Sequence, residues 1–180
     1  VKMEESVVEQ FCAKYESLSG HWHLCGTEAD ASHRIVEIAK ELSSKRVALG
    51  EIGESLKALV ESGLAEAEIE AYGPPFKGEE LPHSIDQAEL GVSEAAFAIA
   101  ESGTLIEFAT NDVFRLVSTL PRVHIGVFRS ETLVQTLKES ASPIRTFFES
   151  NPESATVTFI SGPSRTADIE MKLTLGVHGP

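Results

Sequence analysis

Cysteine is almost missing from this chain: two residues, Cys12 and Cys25, stand among 180. Two thiols build no disulfide scaffold. With neither a CxxC pair nor a ferredoxin-like series, they cannot supply the four thiolates that usually hold an iron–sulfur cluster. Basic residues are scarce too, 15 against 28 acidic ones, and the formal net charge is -13. Such a field repels phosphate backbones and anionic lipid, so neither nucleic acid nor a membrane surface is an expected partner. Apolar runs long enough for a bilayer span are absent, and Val1-Lys2-Met3-Glu4-Glu5 has neither the basic start nor the hydrophobic centre of a secretion signal. The expectation is a cytoplasmic protein without membrane insertion.

What is present suits one well-buried core: 42% of the residues are hydrophobic, so a single domain over 1–180 is expected. Val7, Val8, Phe11, Tyr15 and Leu18 form a helical stripe within residues 4–18, a helix that packs on the domain and is closed by Ser19-Gly20. His21-Trp22-His23-Leu24-Cys25 reads as a period-two strand with His21, His23 and Cys25 on one face. With His33 or Cys12 as a fourth ligand that row could hold zinc, although its spacing matches no established zinc motif and edge-strand histidines need no metal. Asp30 or Ser32 is placed to cap a helix whose inward face is Ala31, Ile35, Ile38, Ala39 and Leu42. Arg46 to Gly50 reads as a strand, Leu56 to Val60 as part of a helix stopped by Gly63, and Glu68 to Tyr72 as a further strand. Strands alternating with helices of this length predict an α/β fold, with a mainly parallel sheet covered by helices on both faces.

Two adjacent prolines, another proline and two glycines make residues 73–84 a surface loop or lid. Beyond it come a strand at Glu89 to Val92, the small residues Ala95 to Ala100, and the polar turn Glu101-Ser102-Gly103-Thr104. A helical turn follows from Asn111 to Leu120, then a strand at Val123 to Phe128 with His124 at its start, read as a hydrogen-bonded core histidine. Thr132 to Ala141 is expected as a helix with Leu133 and Leu137 inward, and Ile144, Phe147 and Phe148 on a helical face after it.

The densest chemistry lies in Ser161-Gly162-Pro163-Ser164-Arg165-Thr166-Ala167-Asp168-Ile169-Glu170, just past the strand-like Ala155 to Ile160. A helix starting near Ser164 would aim free N–H groups at an anion, and Arg165 would add a fork suited to carboxylate or phosphate. Asp168 and Glu170 equally suit a positive helix end, and a turn-and-cap role with an Arg165–Asp168 pair needs no ligand at all.

Ile99-Ala100-Glu101-Ser102-Gly103-Thr104, Leu120-Pro121-Arg122-Val123-His124-Ile125, Ser161 to Glu170 and Gly176-Val177-His178-Gly179-Pro180 together resemble the LUD domain family of the lactate-utilisation protein C type. Members often have Thr where Ser102 stands, and commonly continue past the His-Gly-Pro into a final hydrophobic strand, whereas this sequence stops at Pro180. The resemblance implies the α/β fold shared by glucosamine-phosphate deaminase, ribose-phosphate isomerase and CoA transferases. It also implies a part in oxidising L-lactate to pyruvate beside iron–sulfur partner proteins. On that footing the expected function is an accessory subunit with no cofactor of its own, binding a small carboxylate or phosphate through Ser102, Gly103, Thr104, Ser161, Gly162, Ser164, Arg165 and Thr166. The alternative is a free-standing enzyme of isomerase or acyl-transfer type, with Glu101 as base or nucleophile and Asp168 or His178 as proton carrier.

Overall fold

The computed structural model describes residues 2–166, 174–175 and 180, without the side chains of residues 2–6, 80, 112, 165–166 and 174–175. Among the described residues the helices are α1 (Lys2–Ser17), α2 (Glu28–Glu41), α3 (Glu54–Glu66), α4 (His83–Asp86), α5 (Asp112–Thr119) and α6 (Leu137–Ser150). The strands are β1 (Arg46–Leu49), β2 (Glu70–Tyr72), β3 (Leu90–Glu94), β4 (Phe97–Ile99), β5 (Thr104–Ala109), β6 (Val123–Val127), β7 (Leu133–Val134), β8 (Thr156–Ile160), β9 (Arg165–Thr166) and β10 (Thr174–Leu175). The chain forms two compact units. One takes Val1–Trp22, Ala95–Asp112 and Val127–Leu175, the other His23–Glu94, Val113–Gly126 and Gly176–Pro180.

In the second unit the sheet order is β2-β1-β3-β6, parallel where β1 meets β2 and β3. Val47, Ala48 and Leu49 are all fully buried, because a strand covered on both faces has no polar side. Ala48 packs with Ile85, Ala88 and Val117, and alternation turns Val47 and Leu49 the other way. The α/β fold with a parallel sheet is thus as expected. The cap of α2 is not: Thr27, rather than Asp30 or Ser32, accepts the Asp30 N–H at 3.1 Å, and Ser32 is buried within the helix. Gly63 does not stop α3 either. It lies inside the helix, where a Cβ would stand 2.9 Å from Val36 Cγ2 on α2.

In the first unit the sheet order is β7-β4-β5-β8, with β4–β5 and β5–β8 antiparallel and β4–β7 parallel. Alternation splits its side chains between two layers. Ala98, Ala100 and Leu105 gather with Phe11, Val7 and Tyr15 of α1, while Phe97, Ile99 and Ile106 gather with Ile144 of α6. Phe147 of α6 stacks on Phe108 at 4.2 Å between centroids. Leu133 and Val134 are a strand, not helix, and Leu137 is 52% exposed at the helix start rather than inward.

Two further expectations are corrected. His21 to Cys25 form no strand, and Leu24 is 74% exposed. Arg165–Thr166 pair antiparallel with Thr174–Leu175, so extended backbone stands where a helix from Ser164 was expected.

Candidate functional site

Two of the polar stretches singled out in the sequence meet in the first unit. β5 begins at Thr104 and runs antiparallel to β8, with Leu105 opposite Ile160, so the turn before β5 and the turn after β8 fall at the same sheet end. There Ser102 Oγ lies 2.7 Å from Thr104 Oγ1, and Thr104 Oγ1 lies 2.7 Å from Ser161 Oγ. The middle hydroxyl belongs to a residue only 3% exposed, while Ser161 is exposed. Three hydroxyls carry three protons and their two mutual bonds use two, so one proton is left for a further acceptor.

One turn rests on the last turn of α1 and the other on Leu18 just past it. Gly103 has φ 60°, and a Cβ there would stand 2.9 Å from Tyr15 N and 3.1 Å from Lys14 Cγ. Gly162 has φ 79°, and a Cβ there would stand 2.8 Å from Leu18 O. Left-handed backbone and a closely packed neighbouring segment both demand glycine at these two points. The stem of Lys14, an exposed residue, thus touches the turn, a neighbour for which the sequence gave no sign.

The other expected site residues are placed as follows. Glu101 is exposed, and one carboxylate oxygen accepts the Leu137 N–H at 3.3 Å, which satisfies an otherwise unpaired donor at the start of α6. Ser164 is half-buried in the turn, and Arg165 and Thr166 begin β9. Four residues of chain keep the Arg165 Cα within about 14 Å of that of Ser161. Asp168 and His178 lie outside the described residues.

The row His21, His23 and Cys25 has lost the strand that was to align it. His23 Nε2 instead faces Arg34 Nε at 3.4 Å, and no three His, Cys, Asp or Glu side chains among the described residues are grouped to hold a metal ion. Burial pushes the thiols of Cys12 and Cys25 up from their ordinary value, with the charges of Glu16 and Asp30 adding to it, which disfavours the thiolate a metal needs.

The second unit holds a pair the sequence gave no reason to join. Ser93, near the carboxyl end of β3 and 6% exposed, places its Oγ 2.7 Å from Nε2 of His124 on β6. The histidine is hydrogen-bonded, as read from the sequence, but half-buried rather than in the core, and its serine partner lies 31 positions away with no motif linking them.

A family model described as the LUD domain matches residues 8–180. Lactate utilization protein C of Shouchella clausii (strain KSM-K16) is 43% identical over 100 residues, which are 54% of this chain and 44% of that protein. The protein of the same name from Bacillus subtilis (strain 168) is 36% identical over 105 residues, 58% of this chain and 44% of that one. Each match therefore spans less than half of the relative's own length. The crystal structure of a DUF162 family protein from Deinococcus radiodurans superposes with a TM-score of 0.66 at 20% identity over 88% of both chains, a likeness of fold. Among the described residues no helix is long and apolar enough to cross a membrane.

Proposed function

We propose that this chain, which belongs to the LUD domain family, serves lactate utilisation as a small-carboxylate-binding subunit with no redox centre of its own. The name carried by its relatives supports the pathway. The observation that carries the binding role is the line of hydroxyls from Ser102 through Thr104 to Ser161. Its one remaining proton fits an acceptor, and Lys14, whose stem passes Gly103, is proposed as the cation that would favour an anionic one. L-Lactate and pyruvate each present such a carboxylate.

Two cysteines cannot hold an iron–sulfur cluster in this chain, so on this reading the electrons of lactate oxidation pass to other proteins, and the iron–sulfur partners implied by the family resemblance are the proposed acceptors. The proposed place of work is the cytoplasm. Titration of the purified chain with L-lactate and with pyruvate, read by calorimetry, is expected to show binding that weakens about tenfold or more in Ser161→Ala, the scale of a lost hydrogen bond to a charged group. Co-purification with the iron–sulfur proteins tests the partnership. Absence of heat with both acids, together with absence of association, overturns the reading.

A further inference from the structure

A serine hydroxyl is a poor nucleophile until a base takes its proton, and a neutral imidazole nitrogen placed within hydrogen-bond reach is the usual means. Ser93 Oγ and His124 Nε2, 2.7 Å apart on separate strands of the parallel-containing sheet, lie within that reach, with either atom able to donate according to the ring tautomer. The pair stands at a position suited to chemistry. β1 lies between β2 and β3, the chain leaves β1 through α3 toward β2, and β6 lies on the far side of β3. The chain leaves β3 into β4 and β5 of the first unit and returns through α5 to β6, so it does not pass directly from β3 to its neighbour. Ligands of parallel α/β sheets bind past the carboxyl ends of the strands, and Ser93 lies near that end of β3. Two contacts hold that end in place. Gly50, just past β1, donates its N–H to Val92 O at 2.8 Å, and Glu94 accepts the Gly53 N–H at 2.7 Å, tying the start of α3 to the end of β3. A buried serine fixed by neighbouring backbone is oriented before any substrate arrives, which is what such a nucleophile requires.

We propose that Ser93 and His124 form a nucleophile–base pair that transfers the acyl group of a small carboxylic ester. His124 Nδ1 carries the ring proton and Nε2 accepts the Ser93 proton as Oγ bonds to the ester carbonyl carbon. The bond from that carbon to the alkoxy oxygen breaks, and the proton on Nε2 passes to the departing alcohol. Water then attacks the acyl-serine, its proton goes to Nε2, and the acid leaves as the proton returns to Ser93 Oγ. An ester fits better than a polyanionic acyl donor because the chain's net charge of -13 disfavours the approach of the latter. This activity is separate from carboxylate binding in the first unit and does not depend on it.

The test treats the full chain with a biotinylated fluorophosphonate and maps the adduct by mass spectrometry. In parallel, p-nitrophenyl acetate is used to look for a burst of p-nitrophenolate. The expected adduct is on Ser93, and His124→Gln is expected to slow its formation by about 10²-fold or more, the scale of a lost general base. Ser93→Thr, which keeps the hydroxyl, is expected to retain slower labelling, and Ser93→Ala to lose both adduct and burst. No adduct on Ser93 of the native chain overturns the proposal, and so does an unchanged labelling rate in folded His124→Gln. Mapping on the native chain decides the matter even where a variant does not fold.

Discussion

Thr104 is the residue on which the two turns converge, since its hydroxyl meets both Ser102 and Ser161. Thr104→Val keeps the shape and removes both bonds at a buried site, so the unfolding free energy measured by urea titration is expected to fall by about 1–2 kcal/mol. Lactate binding should fall with it. Gly103→Ala combines a left-handed backbone with a Cβ 2.9 Å from Tyr15 N, and about 1–3 kcal/mol of destabilisation is expected by the same measurement. Glu89 supplies a pH dependence. Burial alone would raise its carboxyl, but the N–H groups of Arg46 and Lys45, with its own N–H and the Lys45 charge, outweigh burial and hold it below its ordinary value of 4.5. A folded-state value below the unfolded one means that the stability it contributes is complete above pH 4.5 and is lost as pH falls through the lower, folded value. Acid titration of the unfolding midpoint should therefore be shallower in that window for Glu89→Gln. Of the proposed site, Ser102, Gly103, Thr104, Ser161 and Gly162 were legible because turn chemistry is local. Lys14 and the Ser93 partner of His124 were not, because each contact exists only once distant segments are packed.

At the scale of elements, the start of α6 is held by the chain on both sides of it. Glu101 accepts the Leu137 N–H at 3.3 Å, and the Glu139 carboxylate accepts from Gln135 N at 3.1 Å and Thr136 Oγ1 at 2.9 Å. Glu101→Ala is expected to cost about 0.5–2 kcal/mol, the range for a lost helix cap. Amide exchange at Leu137 should quicken in that variant while exchange in β1 is unchanged. Periodicity located most elements but misjudged those whose form depends on a neighbour. His21 to Cys25 alternate like a strand, but alternation assigns faces and cannot provide a hydrogen-bonding partner. Gly63 has the composition of a helix stop and instead sits mid-helix, where Val36 leaves no room for a side chain. Arg165–Thr166 were drawn toward a helix by Ser164, and their pairing with Thr174–Leu175 decides for a strand.

For the whole molecule, alternating strands and helices disclosed the α/β class, yet nothing in the composition marks the division into two units. The reason is that the boundaries cut across sequence order: the second unit is interrupted after Glu94 and resumes at Val113. Val117, which lies in that later segment, packs with Ala48, Ile85 and Ala88. A fragment of residues 23–94 therefore lacks part of its own core, and it is expected to keep helical circular dichroism but to melt without a cooperative transition and to bind a hydrophobic dye. The same threading bears on how such a protein can be inherited. A genetic crossover near codon 94, 112 or 126 would give the recipient gene incomplete portions of both units, so neither half is a module that exon shuffling or simple gene fusion can move by itself. The two should pass through descent as a pair.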